Sequence, residues 1–369
     1  MNTSAMWHAR DRAHCAWSLR ESFDFFCESD ADWEVKRQLY IERLRQSQVD
    51  EHAASFVFWQ NNWEPNFACN FEARPGDPGD GSKWLCDPHK LKHSKRCVLY
   101  SFGSAGNFMW EISMHERLGS SCEIHTFDHT LKFGSVHPPA YVHYHYWGIG
   151  TKDQWADKER SVGIFTLATI QQMLGHEGVF IEVLKIDVEG AEYSTIQPLV
   201  AAQRFEHVHQ LLIELHYERV PTKYPPRPTR SHPWSRLAPP AIVQPPAAHH
   251  AFFWTLTHAG WAIFHKEPNT AYAMGGCVEY AFVRLSWNTT DLLRIARQKW
   301  CIGGWRNLHS TMHPVCDGWG VLREGEPMFK HNGYETDHEG VLELDPAHGT
   351  FRSRVTRKQP PPPPRRNAR

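Results

Sequence analysis

Neither sign of charge is in excess in this sequence. Among its 369 residues, 40 are Lys or Arg and 41 are Asp or Glu, which gives a formal net charge of −1. A balanced charge supplies no basic footprint for nucleic acid or for an anionic membrane surface. No apolar run reaches the ~18–20 residues that span a bilayer, and the first residues carry charges without the apolar segment of a signal peptide. We therefore expect no nucleic-acid partner, no membrane span and a cytoplasmic location by default, with a secretory location open if the true N-terminus differs.

Cysteine is also scarce, with nine residues and no Cys-x-x-Cys pair. Zinc ribbons need such pairs, and an odd, sparse set in a chain of this length argues against a dense disulfide framework. Cys97, Cys122 and Cys277 lie in strand-like apolar runs. We expect these three to be buried free thiols that pack as small hydrophobic side chains.

Hydrophobic residues make up 41% of the chain, which is enough to bury a sizeable core. The turn-rich run RPGDPGDGS at 74–82 marks a boundary. We therefore expect three parts: a partly helical N-terminal extension at 1–82, a central domain at 83–290, and a C-terminal extension at 291–369 that ends in a disordered tail of proline and arginine.

The central domain alternates strand and helix patterns. Predicted strands lie at 97–102, 122–127, 141–147, 179–186, 208–215, 261–265 and 277–285, and predicted helices at 107–118, 167–174, 191–203 and 250–259. Such repeated units predict an α/β fold, with a mostly parallel sheet, helices on both faces and a closing hairpin. A proline-rich insertion at 221–248 can continue neither element and is expected to be a long loop after the fifth strand.

A glycine-rich turn follows the first strand, where Gly103, Ser104, Gly106 and Asn107 lead into a helix. Glycine lets the backbone turn tightly and approach a ligand, and the helix start offers N–H groups to that ligand. Asp128 ends the next strand, where an acid can accept hydrogen bonds from ribose hydroxyls. Taken alone, the glycine-rich turn could be a plain helix start, and Asp128 could be an ordinary turn residue. Together they favour a nucleotide-like ligand.

The run LKIDVEGAEY at 184–193 places Asp187 at the end of a buried strand, followed by Glu189 and Glu192. The side chain of Asp187 would face the ligand edge of a parallel sheet, although acids at such positions also cap helix starts. His216 ends the neighbouring strand, so we expect it to lie beside Asp187.

This run resembles the motif of FkbM-type methyltransferases and of related methyltransferase-like proteins. Other segments resemble the same family, namely WLCDPH at 84–89, VLYSFGSAGNF at 98–108, LLIELHY at 211–217, FHKEPN at 264–269 and CVEYAFVRL at 277–285. The resemblance covers roughly residues 83–286. It implies a Rossmann-like methyltransferase fold, in which the last of seven strands is antiparallel. It also implies S-adenosylmethionine as the methyl donor, usually to a hydroxyl oxygen.

The resemblance also assigns roles to the residues of the two motifs. The four residues of the glycine-rich turn would bind the cofactor, Asp128 would hold its ribose, and Asp187 and Glu189 would lie beside the transferred methyl group. The turn departs from the family pattern because it lacks the acid that usually precedes its first glycine. A contact to the amino group of the cofactor is therefore expected from Glu111 or from Asp187.

Methyl transfer to oxygen needs alignment of donor and acceptor, and a base for the hydroxyl proton. We expect His216 to accept that proton beside Asp187, with Glu189 as the alternative, and the acceptor to be a small-molecule or glycan-like hydroxyl of unknown identity. His143 and His145 share a strand face and could join Asp187 and His216 around a metal. Satisfied core histidines are the simpler reading, so we predict no metal site and no requirement for a divalent metal.

Two other functions stay open. One is a non-catalytic binding module on the same fold, which would be expected to lose the turn or the acid of the fourth strand. The other is an NAD-dependent oxidoreductase, which shares a glycine-rich turn followed by an acid. The sequence keeps both features and lacks G-x-G-x-x-G in the turn, so it favours a methyltransferase.

Overall fold

The computed structural model describes residues 14–46, 58–60, 62–77, 81–216, 246–269 and 277–287, and the backbone of two further strands at 338–345 and 350–357. The chain divides into two compact units, Met1–Leu293 and Arg294–Arg369. No helix in the described part of the chain is both long enough and apolar enough to cross a bilayer.

The main helices are α1 (Ala16–Glu21), α2 (Asp30–Gln46), α3 (Pro88–Leu91), α4 (Met109–Leu118), α5 (Leu167–Leu174), α6 (Glu192–Ala201) and α7 (Pro246–His258). The strands are β1 (Glu72–Ala73), β2 (Leu85–Cys86), β3 (Cys97–Phe102), β4 (Cys122–Phe127), β5 (Val142–His145), β6 (Trp147–Ile149), β7 (Gln154–Asp157), β8 (Val162–Phe165), β9 (Ile181–Ile186), β10 (Val208–His216), β11 (Trp261–Pro268), β12 (Cys277–Arg284), β13 (His338–Asp345) and β14 (Thr350–Arg357).

A sheet of seven strands organises the first unit, in the spatial order β5–β4–β3–β9–β10–β12–β11. Neighbouring strands from β5 to β10 run parallel, whereas β12 is antiparallel to both β10 and β11. This arrangement confirms the predicted Rossmann-like methyltransferase fold. The chain moves outward from β3 in one direction and from β9 in the other, so the carboxyl ends of β3 and β9 meet at a switch point. Ligands bind at such points in open α/β sheets.

The two central strands are buried along their whole length, with the sequences CVLYSF in β3 and IEVLKI in β9. Burial on both faces requires near-continuous apolar runs, which is why the sequence pattern locates these strands well. Local signals fix the helix that precedes β9. Helix α5 begins after Thr166, whose side chain accepts the Thr169 N–H, and ends at Gly175 in the left-handed conformation.

The predicted third strand at 141–147 is two strands in the structure. β5 forms the edge of the main sheet, whereas β6 pairs with β8 in a separate three-stranded sheet of order β6–β8–β7. The aromatic run is continuous, so its period alone cannot locate the break at Tyr146. The sequence does not predict β7, because most of its residues are exposed and it carries no apolar signal.

Helix α7 begins at Pro246, inside the insertion at 221–248 that was expected to be a loop. Proline is compatible with the first turn of a helix, where its missing N–H is not needed. Residues 217–245 lie outside the described part of the chain. In the second unit β13 and β14 form an antiparallel hairpin, for which the sequence gives no prediction. The tail at 358–369 also lies outside the described residues.

The N-terminal helices pack in the same unit as the sheet. Trp33 and Tyr40 of α2 contact Trp287, with ring centroids 5.7 and 4.9 Å apart. The Ser286 N–H donates to the carbonyl oxygen of Glu21 over 2.8 Å. The boundary expected between residues 82 and 83 therefore falls within one compact unit.

The cysteines correct one expectation. Disulfides join Cys15 to Cys27, Cys69 to Cys86, and Cys97 to Cys122. The prediction of free thiols was therefore wrong for Cys97 and Cys122, which face each other in register on the parallel strands β3 and β4, with Cα atoms 4.4 Å apart. The sequence gives no register between these strands, so it could not show the pairing. Cys277 is a buried free thiol, as expected.

Candidate active site

The glycine-rich turn begins directly after β3. Gly103 and Gly106 both have φ +80°, a conformation that side chains strain. A Cβ atom on Gly103 would lie 1.6 Å from the carbonyl oxygen of Asp187, whereas one on Gly106 would meet only a Leu131 methyl group at 3.5 Å. Gly103 is therefore required for packing against the end of β9, and Gly106 for the backbone conformation.

Asp128 holds the shape of this turn. Its Oδ2 accepts the N–H groups of Ser104 and Ala105 at 3.2 and 2.8 Å. Its Oδ1 accepts the N–H and the hydroxyl of Thr130 at 2.9 and 2.6 Å. Both carboxylate oxygens of this buried residue are thus engaged by the protein. A ribose at this position would have to share Oδ1 with the exposed Thr130.

The other polar residues of the turn close it on itself. The Ser104 hydroxyl accepts the Gly106 N–H over 3.2 Å. Asn107 Oδ1 accepts the Met109 N–H at the start of α4 over 3.0 Å. Asn107 therefore satisfies one of the N–H groups that a helix start leaves free, which is a structural role that the sequence did not separate from cofactor binding.

The three residues predicted to be catalytic lie together at the carboxyl edge of the sheet. One ligating atom from each of Asp187, Glu189 and His216 lies within 4.8 Å of the other two. Asp187 follows β9 and His216 ends β10, and these strands are parallel neighbours. Their proximity is the expected result of that pairing.

His216 is held by carboxylates on both ring nitrogens. Its Nδ1 lies 3.1 Å from Glu192 Oε1, and its Nε2 lies 3.7 Å from Glu189 Oε2. Burial opposes a charge on His216, but the hydrogen bond to Glu192 and the charges of Glu192, Glu214 and Asp187 raise its pKa to about 10. His216 is therefore a cation at neutral pH in this arrangement. A protonated imidazole cannot accept a proton, which argues against the role expected for His216.

Glu189 differs from Glu192 in the exposure of its side chain and in its backbone conformation. The Glu192 carboxylate is buried and also accepts the N–H groups of Val188 and Gly190 at 3.4 and 3.2 Å. Glu189 instead points to solvent, and its φ of +56° is unusual for a residue with a side chain. Partial desolvation raises the pKa of its carboxyl, as do Asp187 and other nearby acids, while His216 opposes them. A raised pKa suits a general base that works near neutral pH.

A lysine that the sequence did not single out lies behind Asp187. Lys83 has a side chain only 1% exposed, and its Nζ lies 3.4 Å from Asp187 Oδ2 and 3.3 Å from Glu214 Oε2. It also donates a short hydrogen bond to Glu279. Burial works against the charge of Lys83, but the three carboxylates raise its pKa above the ordinary value. Lys83 therefore stays charged.

A signal for Lys83 was nevertheless present in the strands. Glu214 and Glu279 are acids within otherwise apolar, buried strands, and they face each other directly across β10 and β12. Like charges in that position destabilise a sheet, and buried charges need partners. Such a pair calls for a cation from outside the sheet, although the sequence cannot say which one.

His143 and His145 do not join the carboxyl-edge cluster. They lie on β5, which β4 and β3 separate from β9. His145 Nε2 lies 3.1 Å from Nδ1 of His125, and the His143 ring stacks against the His125 ring with centroids 4.8 Å apart. Asp187 and His216 are thus not brought together with these two histidines.

Comparison with known proteins agrees with this fold. Residues 16–284 match a family described as a methyltransferase domain. The human protein named probable methyltransferase-like protein 24 is 31% identical over 183 residues, which cover 46% of this chain and 48% of that protein. Its rat counterpart is 29% identical over 198 residues, covering 50% and 52% of the two chains. The chain thus spans about half the length of these curated relatives.

The family match includes every predicted site residue and also α1 and α2, which precede the expected domain boundary. It covers well over half of the sequence and coincides with the seven-stranded sheet. The chain therefore belongs to this methyltransferase-domain family.

Proposed function

We propose that this chain is an S-adenosylmethionine-dependent methyltransferase that acts on a hydroxyl oxygen. The observation that carries the proposal is the direct packing of the glycine-rich turn on the acid cluster. The Asp187 carbonyl occupies the space that a side chain on Gly103 would fill. The Asp187 N–H donates to the carbonyl of Phe102 over 3.0 Å, and Lys185 Nζ donates to the carbonyl of Gly103 over 3.1 Å. The two motifs therefore pack directly against each other, which supports a shared cofactor site.

Buried polar atoms beneath the turn fit such a cofactor. Glu111 Oε1 accepts the Thr126 hydroxyl over 3.2 Å, whereas Glu111 Oε2 is buried without a hydrogen-bond partner. The hydroxyl of Ser101, next to Thr126 in register, is also buried without one. Leaving such a group unpaired costs ~1–3 kcal/mol, which a polar ligand could offset. Glu111 would receive the amino group of the cofactor, and Asp128 would hold its ribose.

The mechanism then needs alignment and one proton acceptor. When bound, the cofactor would supply a methyl group from a sulfonium sulfur, which would leave as a neutral thioether as the acceptor oxygen takes the methyl group. Glu189 is exposed beside His216 and would accept the proton of the acceptor hydroxyl. The His216 cation, fixed by Glu192, would orient Glu189 and offset its charge. Lys83 would hold Asp187 in place at the end of β9.

Several finer assignments belong to the same proposal. We retain the FkbM-type assignment as an interpretation that rests on the sequence motifs. The acceptor would be a small-molecule or glycan-like hydroxyl. The three disulfides favour an oxidising compartment, so we propose the secretory location in place of the cytoplasmic default.

Calorimetry with S-adenosylmethionine, S-adenosylhomocysteine and NAD tests the proposal. Wild type should bind the first two and not NAD. Gly106→Ala strains the turn without a collision, so it should weaken binding by about tenfold. Gly178→Ala is the matched control, because Gly178 has φ +70° in open space before the amino end of β9. Absence of S-adenosylmethionine binding by folded wild type would reject the cofactor, while binding without any methyl transfer would support the binding-module alternative.

A further inference from the structure

A second cluster of ligating side chains lies toward the amino edge of the sheet, away from the candidate active site. Glu123 and His125 are two residues apart on β4 and share one face. His176 follows α5, in the connection that enters β9. One ligating atom from each of the three lies within 4.8 Å of the other two.

The distances within this cluster suit a tetrahedral metal ion. Glu123 Oε2 lies 3.1 Å from His176 Nε2 and 3.6 Å from His125 Nε2. Zinc binds imidazole nitrogen and carboxylate oxygen at about 2.0–2.2 Å, so tetrahedral ligands lie about 3.3–3.5 Å apart. The two observed distances lie on either side of that value.

Both imidazoles are oriented through their other ring nitrogen. The Tyr100 hydroxyl lies 2.7 Å from His176 Nδ1, and His145 Nε2 lies 3.1 Å from His125 Nδ1. Metal-ligating histidines are usually held in this way, since the partner fixes the tautomer and the ring. A proton on His125 Nδ1, donated to His145, leaves the lone pair of Nε2 directed at Glu123.

His125 Nε2 has no hydrogen-bond partner, although the side chain is only 7% exposed. Buried polar atoms are normally paired. Zinc binds neutral imidazoles and anionic carboxylates, and this cluster offers two of the first and one of the second.

We propose that Glu123, His125 and His176 bind a divalent transition-metal ion of the zinc type. The ion would join β4 to the connection before β9, with the fourth position open to water. The site lies away from Asp187 and His216, so the ion would connect β4 and this segment of the fold rather than take part in methyl transfer. The prediction that turnover needs no divalent metal stays in place, whereas the expectation of no metal site is replaced.

Titration of zinc into the chelator-stripped full chain tests this site. Calorimetry should give one tight site, and cobalt in its place should show the visible bands of tetrahedral coordination. Glu123→Gln should weaken zinc binding at least ~10- to 100-fold. Glu116→Gln makes the same change on the exposed side of α4 and should leave the affinity unchanged.

Tyr100→Phe provides a second variant that keeps the packing of the ring. It removes the hydroxyl that orients His176 and should weaken zinc binding by about tenfold. Circular dichroism checks that each variant is folded. Zinc affinity equal to wild type in both Glu123→Gln and Tyr100→Phe, or no tight zinc site in folded wild type, would overturn the proposal. S-adenosylmethionine binding is measured separately and does not bear on this result.

Discussion

Two histidines at different places on the same sheet differ in charge state, although each exposes little of its side chain. His216 and His125 expose only 13% and 7% of their side chains. Carboxylates around His216 raise its pKa to about 10, whereas burial and neighbouring imidazoles lower that of His125 to about 2. Burial opposes the cation in both cases. The neighbours therefore decide which histidine is charged, and a histidine in a sequence does not reveal its role.

The regions around these two histidines also differ in charge. The carboxyl edge concentrates buried charges around Lys83 and His216, next to the glycine-rich turn. Toward the amino edge, the Cys97–Cys122 disulfide and neutral imidazoles join β3, β4 and β5. We infer that the chemistry belongs to the carboxyl edge, whereas buried contacts in both regions stabilise the fold.

The largest effect is expected at Glu189. Glu189→Gln removes the proposed proton acceptor, and loss of a general base usually lowers turnover ~100- to 10,000-fold. The measurement is transfer of labelled methyl groups from S-adenosylmethionine, once an acceptor is found. Glu177→Gln is the control, because Glu177 is an exposed acid before the amino end of β9. Near-normal turnover of folded Glu189→Gln would place the base elsewhere.

Removal of the Lys83 charge should also have a large effect, in this case on the free energy of unfolding. Lys83→Met leaves Asp187, Glu214 and Glu279 without the lysine that they share. Breaking a buried ion pair from one side costs ~3–5 kcal/mol. Chemical denaturation measures this loss, with Lys152→Met as an exposed control. A loss of less than ~1 kcal/mol would show that the carboxylates are protonated or solvated instead.

The disulfide between β3 and β4 should contribute less than Lys83 to the free energy of unfolding. Its two cysteines are 25 residues apart in sequence, and closing such a loop stabilises a chain by about 3 kcal/mol. Cys97→Ala/Cys122→Ala should lose this amount and should keep its affinity for S-adenosylmethionine. A reductant should destabilise wild type more than this double variant. Equal sensitivity of both proteins would mean that this disulfide does not stabilise the sheet.

The last prediction concerns the pH dependence of the free energy of unfolding. The folded pKa of His216 lies above its ordinary value of 6.5, so the folded state holds the extra proton between pH 6.5 and about 10. His216 therefore stabilises the fold fully below pH 6.5 and loses this contribution as the pH rises toward 10. The free energy of unfolding should fall by up to ~1.4 kcal/mol per pH unit in that window. His216→Gln should flatten this slope, whereas the exposed control His137→Gln should not; an unchanged slope would mean that His216 is neutral.

Parts of this structure followed from the sequence because they depend on local patterns. The bounds of β3 agree with prediction, since a strand buried on both faces reads as a continuous apolar run, and the bounds of β4 also agree. The convergence of Asp187 with His216 follows from the parallel pairing of consecutive strands. The glycine-rich turn was recognised from its two glycines, both of which have positive φ.

Other parts depend on contacts that no local pattern encodes. Lys83 reaches the site from a turn-rich segment before the sheet, where a single lysine suggests only solvent exposure. The charge of His216 depends on Glu192, and the Cys97–Cys122 pairing depends on the register of β3 and β4. Gly103 was assigned to ligand approach, yet its missing side chain accommodates Asp187. Each of these features requires the positions of neighbours that are distant in sequence.

A crystal structure of the full chain with S-adenosylhomocysteine would show whether the turn and the acid cluster form one cofactor site. We expect the ligand across Gly103–Gly106, with its ribose at Asp128 and its sulfur facing Glu189. Density for the ligand at another surface, or contact with the turn while the sulfur points away from Asp187 and Glu189, would show that they do not.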